Sequence, residues 1–148
     1  EKEKVKISGA IPVDNISENL QKMDAVTLHC PKNDETTDLF TKKEFNLMKK
    51  SSFIINCARG GILNEEDLYE ALTSKKIAGA GLDVFDVEPT PSSNPLFKLN
   101  NVILSPHIAG VTVESTIRMA TETVQNVLDV LDDKINQSVV VNSKEIGM

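Results

Sequence analysis

Arg59, Glu88 and His107 each stand a few residues beyond an apolar run. Arg59 follows "FIIN" within "SSFIINCARGGILNEEDL". Glu88 follows "IAGAGLDV", with Asp83 near the end of that run and Asp86 just after it. His107 follows "VIL" and Ser105-Pro106. A planar guanidinium can grip a carboxylate, or a carboxylate and its neighbouring carbonyl, through paired N–H bonds. An imidazole can give or take the proton of an alcohol, and a carboxylate beside it favours the charged ring and fixes its tautomer. General acid–base help of this kind is worth about 10²–10⁴ in rate. Arginine, histidine and a carboxylate together suit oxidation of a 2-hydroxy acid or reduction of a 2-oxo acid. The hydride must go to a cofactor, because no side chain accepts it. Each residue also has a plainer reading alone: a surface arginine, a loop acid beside Pro89, and a histidine that caps the next helix. His29, the only other histidine, reads as structural.

These residues need elements to hold them on one rim. Residues 25–29 form a β-prone run stopped by Cys30-Pro31, and residues 53–56, 77–84 and 102–104 form three more. Val5-Lys6-Ile7 reads as a short strand, and Val139-Val140-Val141 as a strand or an extended crossing. Helices are predicted between the strands: Ser17 caps one running to Met23, Thr41 opens one with Glu44 three residues on, and Asn64 caps one bearing Leu68, Ala71 and Leu72 at helical spacing. A long helix runs over residues 112–131, with Ile117, Ala120, Val124, Val127 and Leu131 on one face. Strands alternating with helices, and strands that read as continuous apolar runs, predict an α/β fold whose parallel sheet is covered on both faces. In doubly wound sheets of this kind ligands bind beyond the carboxyl ends of the strands, where Arg59, Glu88 and His107 fall.

A length of 148 residues fits one domain. The net charge of −6 argues against a nucleic-acid partner, since phosphate binding needs clustered Lys and Arg. No apolar run approaches the roughly 20 residues of a membrane helix, and the first residues do not read as a signal peptide. Cys30 and Cys57 have neither disulfide-framework nor metal-ligand spacing and read as small buried thiols, so the compartment reads as reducing and cytoplasmic, and no metal is expected.

The segments "NCARGGILNEEDLYEAL", "AGAGLDVFDVEP" and "NVILSPHIAG" resemble three successive signatures of the D-2-hydroxyacid dehydrogenases, and "DAVTLHCPKNDETTDLF" resembles the segment before them. The likeness covers residues 15–142 in order and spacing. Within the family the phosphoglycerate dehydrogenase branch is nearest, through "NCARGG" and the strand into "LDVF", with the glyoxylate and hydroxypyruvate reductases as neighbours. The resemblance implies a Rossmann-like doubly wound parallel sheet, NAD as cofactor and a 2-hydroxy or 2-oxo acid as substrate. It implies that Arg59 binds the substrate carboxylate and carbonyl, that His107 protonates the oxo oxygen, and that Glu88 pairs with His107. It sets Cys57, Ala58 and Arg59 along the nicotinamide, Asp83 at the carboxamide, Cys30 and Pro31 against the adenosine half, and His107, Ala109 and Gly110 along the cofactor. Some relatives with this fold are cofactor-sensing corepressors that bind peptides, so a binding module is the alternative.

The family's glycine-rich turn and separate substrate domain have no counterpart here, and "GAGLDV" lies inside a predicted strand. The chain therefore reads as the second part of the cofactor domain, inactive or nearly so alone, from a protein that pairs as a homodimer with the long helix contributing. "HIAGVT" departs from the phosphoglycerate branch after the histidine, which leaves the substrate open. A half-sheet exposes an edge and apolar surface. The chain is therefore expected to associate with itself or dissolve poorly, and light scattering showing a clean monomer would contradict this.

Overall fold

Four short parallel strands lie side by side in chain order: β1 (Ala25–Leu28), β2 (Phe53–Asn56), β3 (Gly79–Leu82) and β4 (Val102–Leu104). They belong to a computed structural model that describes residues 2–143 and 145–146 in two compact units, Glu1–Ala109 and Gly110–Met148. The first unit holds the sheet together with α1 (Lys2–Ile7), α2 (Lys42–Leu47) and α3 (Glu65–Thr73). The second holds α4 (Val113–Leu131).

The register fixes where the loops begin. Leu28 lies opposite Asn56, Asn56 opposite Leu82, and Leu82 opposite Leu104. The four strands thus end level, and the loops after them start from one rim.

Strand order also explains the core. The chain steps steadily across the sheet, and right-handed crossovers then place successive connecting helices on the same face. α2 and α3 do pack against each other. Val26, Leu28, Ile54 and Leu82 point into this side and are buried with Phe45, Leu68 and Leu72. On the opposite side Phe53 is half exposed and Ile103 is 79% exposed. Within this unit the buried core lies on one side of the sheet.

Local chemistry sets the helix starts as read from the sequence. The Asn64 side chain accepts from the Asp67 amide, and the Thr41 amide donates to the Glu44 carboxylate at 3.2 Å. Thr112 accepts from the Ser115 amide to open α4, so His107 is not the cap of that helix.

Three expected elements differ. Residues 5–7 lie in α1, where Glu and Lys favour a helix and none of the described residues supplies a strand partner. The helix expected at 17–23 is a 3₁₀ turn, Leu20–Lys22, fixed by fully buried Leu20. Of the valines near the end, Val139 closes a 3₁₀ turn, Gln137–Val139, where Asn136 accepts from the Ser138 amide, and Val140 and Val141 follow it outside any strand. The third strand is also shorter than residues 77–84.

A core truncation and an open-face substitution should differ sharply in urea unfolding. Ile54→Ala is expected to cost about 2–5 kcal/mol, and Ile103→Ser no more than about 0.5 kcal/mol.

Candidate active site

The loop after β2 is shaped by Asn56. Its side chain is 1% exposed, and an amide buried that deeply needs partners. It accepts from the Ala58 amide at 3.0 Å and donates to the Arg59 carbonyl at 2.9 Å. The turn so closed buries Ala58 and leaves Cys57 and Arg59 exposed. Cys57 was expected to be buried. It is exposed, while Cys30 is half-buried against the core. One Arg59 guanidinium nitrogen donates to the Ala58 carbonyl at 2.6 Å.

Two glycines bring this loop against its neighbours. A Cβ on Gly60 would overlap the Phe85 carbonyl, so only glycine lets the Arg59 loop lie against the loop carrying Glu88. Gly61 sits at φ +76° and its carbonyl accepts from the Asp38 amide at 2.9 Å. A single parallel bridge between Phe40 and Leu63 completes the clamp.

Asp83 shapes the loop after β4. It is 2% exposed. Its carboxylate accepts from the Ser105 hydroxyl at 2.6 Å, the Ile108 amide at 2.8 Å and the Ala109 amide at 2.9 Å. Its carbonyl accepts from the His107 amide at 2.7 Å. Burial pushes this carboxyl up, but the Ser105 hydroxyl and the two amides outweigh it and hold it below the ordinary carboxylate range. His107 sits at φ +56°, in the left-handed region that few non-glycine residues enter.

The ring of His107 meets Glu88. Nδ1 lies 2.8 Å from Glu88 Oε2, and Glu88 Oε1 accepts from the Phe85 amide at 2.9 Å. The bond to His107 comes first in holding the Glu88 carboxyl below its usual value, followed by the Phe85 amide, with a smaller pull from the Arg59 charge. Arg59, Glu88 and His107 therefore share one electrostatic neighbourhood. Nearby, burial and then the Glu65 charge push the Asp86 carboxyl up.

Two concavities lie along this rim. Cys30, Pro31, Cys57, Ala58 and Arg59 line one, with His29 and Lys32. Phe85, Glu88, Phe97, Leu104, Pro106 and His107 are among the residues lining the other, which is largely apolar. His29 donates or accepts at 2.8 Å with the Thr27 hydroxyl. Gly110 belongs to the second unit, where its carbonyl accepts from Ser115. The sequence reading missed the anchoring work of Asn56. The signal was available: a polar residue stands at position 56, in phase with inward-facing Ile54.

Residues 1–109 match the family model of the D-isomer specific 2-hydroxyacid dehydrogenase NAD binding domain. The chain is 42% identical over 127 residues to glyoxylate reductase of Thermofilum pendens, covering 86% of this chain and 37% of that protein. It is 40% identical over 139 residues to D-3-phosphoglycerate dehydrogenase of Methanocaldococcus jannaschii, covering 94% of this chain and 26% of that protein. Its fold is similar to the NAD-complexed D-isomer specific 2-hydroxyacid dehydrogenase of Lactobacillus delbrueckii ssp. bulgaricus, with a TM-score of 0.77 at 28% identity, over 90% of this chain and 44% of that one. The chain belongs to the D-2-hydroxyacid dehydrogenase family, as part of its NAD-binding domain. It spans 26% to 37% of the length of these curated relatives.

The Glu88 pairing sets a pH signature. A carboxyl whose folded value lies below its ordinary 4.5 stabilises the fold fully above that value. The contribution is lost as pH falls through the lower folded value. Acid unfolding of Glu88→Gln should lack this portion of the pH dependence, and an unchanged acid limb would contradict the pairing. Asn56→Ala strands the Ala58 amide and the Arg59 carbonyl, and urea unfolding should show a loss of about 1–3 kcal/mol.

Proposed function

We propose that the full-length protein is an NAD-dependent oxidoreductase interconverting a D-2-hydroxy acid and its 2-oxo acid. D-3-phosphoglycerate is the first substrate assignment, and glyoxylate or hydroxypyruvate reduction is the alternative. The Glu88–His107 bond on the same rim as Arg59 carries this reading. The two relatives named glyoxylate reductase and D-3-phosphoglycerate dehydrogenase support both substrate assignments.

The residues present suit a nicotinamide cofactor. Small side chains at Cys57 and Ala58, held by the Asn56 turn, leave room for a flat ring beside Arg59. Cys30 and Pro31 line the same concavity, and His107 and Ala109 stand on the same rim, held by Asp83. Asp83 spends three acceptor positions on the loop after β4, so a carboxamide contact would use what remains of its oxygens. When bound, the nicotinamide supplies or accepts the hydride.

The protein's own groups do the rest. Arg59 grips the substrate carboxylate and steadies the adjacent carbonyl. Glu88 engages Nδ1 of His107, which leaves Nε2 to hand a proton to the oxo oxygen or take it from the alcohol. Glu88 steadies the imidazolium that forms when the alcohol is oxidised.

The net charge of −6 supports a small-molecule rather than a nucleic-acid partner. No helix among the described residues is long and apolar enough to cross a membrane. The two unpaired thiols support a reducing, cytoplasmic setting. We place the intact protein in a homodimer. The exposed apolar stripe of α4, with Ile117, Val124, Val127 and Leu131, supports it.

The test is NADH oxidation by full-length protein with phosphohydroxypyruvate, hydroxypyruvate and glyoxylate. Turnover with one of these is expected. His107→Asn should lower kcat by about 10²–10⁴, and Arg59→Ala should lower kcat/KM by roughly 10², the scale of a lost bidentate charged contact. No turnover of any 2-oxo acid would overturn the proposal.

A further inference from the structure

Glu65, the first residue of α3, touches neither concavity that holds Arg59 and His107. Its carboxylate reaches the other way. Oε1 accepts from the Asp86 amide at 2.6 Å, and Oε2 accepts from the Asn94 side-chain amide at 2.9 Å. Asp86 and Asn94 bracket the loop that carries Glu88. Asn94 is itself tied down, since its oxygen accepts from the Leu96 amide at 3.0 Å and Leu96 is fully buried. On the near side Phe85 is buried and its amide holds Glu88.

Glu65 is also close in sequence to Arg59. Residues 59–64 run from the guanidinium directly into α3, and α3 is fixed to the core through Leu68 and Leu72. One carboxylate on a rigid helix therefore joins the segment that carries Arg59 to the segment that carries Glu88. A surface acid serving only the helix dipole needs no such partners. Glu66, the next residue, is exposed and supplies that comparison.

We propose that Glu65 is a positioning residue: by holding both ends of the 86–94 loop it sets the place of Glu88 against His107 and its distance from Arg59. The proposal rests on the oxidoreductase reading above. It makes Glu65 matter to the proton-transfer step and not to cofactor binding, which depends on the turn closed by Asn56.

The test uses full-length protein carrying Glu65→Ala, Glu65→Gln or Glu66→Ala, with Glu88→Gln as reference. The kcat for reduction of a 2-oxo acid is measured across pH, with NADH affinity from fluorescence. Glu65→Ala should lower kcat roughly ten-fold, a part of what acid–base help is worth. Its NADH Kd should stay within about two-fold of wild type, since a change of that size is only a few tenths of a kcal/mol. The basic limb of its rate profile should move in the direction seen for Glu88→Gln. Glu65→Gln keeps an oxygen for the Asp86 amide and should recover most of kcat, while Glu66→Ala should match wild type. Asn94→Ala removes one of the two bonds and serves if Glu65→Ala fails to fold.

A Glu65→Ala protein with wild-type kcat and profile, beside an impaired Glu88→Gln, overturns the positioning role alone. If wild type turns over no 2-oxo acid, the functional reading fails. Amide exchange then decides the positioning role: faster exchange of the Phe85 amide in Glu65→Ala supports it, and unchanged protection overturns it.

Discussion

The Asp83 carboxylate is buried at the end of β3 with one hydroxyl and two amide donors arranged around it. A charge taken out of water is tolerated only when its oxygens are satisfied. The loop after β4 must therefore wrap back onto Asp83, and that wrapping draws His107 into its unusual backbone conformation. Asn56 does the same for the loop after β2 with a neutral amide. In both cases a buried polar group at a strand end dictates the path of the chain beyond it. The exposed Arg59 and His107 are set by groups that solvent barely reaches.

The sheet adds a second constraint. Because the strands advance in one direction, connecting helices gather on one side and the strand ends stay level. The loops after β2, β3 and β4 then compete for the same small volume, and Gly60 shows how closely they approach. Arg59 and Glu88 are about thirty positions apart in the chain, yet their loops meet where Gly60 lies against the Phe85 carbonyl. A side chain at position 60 would push these two loops apart.

Much of this was legible in the residues. Asn64 and Thr112 announced their helices because capping is a local matter. The four strands of the sheet announced themselves through β-branched and small apolar runs. The one-sided core was not legible, since "AVTL" and "FIIN" look equally apolar whichever face is covered. The ends misled for a related reason. Val5 and Ile7 suit a strand by composition, but a strand also needs a neighbour to bond, and composition cannot show whether one is within reach. The work of Glu65 was hidden because its partners, the Asp86 amide and the Asn94 side chain, lie far along the chain from it.

The left-handed backbone at His107 bears on how this protein can change over generations. Asparagine and aspartate share histidine's relative tolerance of that conformation, whereas β-branched residues do not. Single replacements that silence the imidazole while keeping the loop folded are thus concentrated in a few side chains. Such a replacement would leave the Asp83 wrap and the Asn56 turn undisturbed. A chain of this family that changes at position 107 by that route keeps its shape.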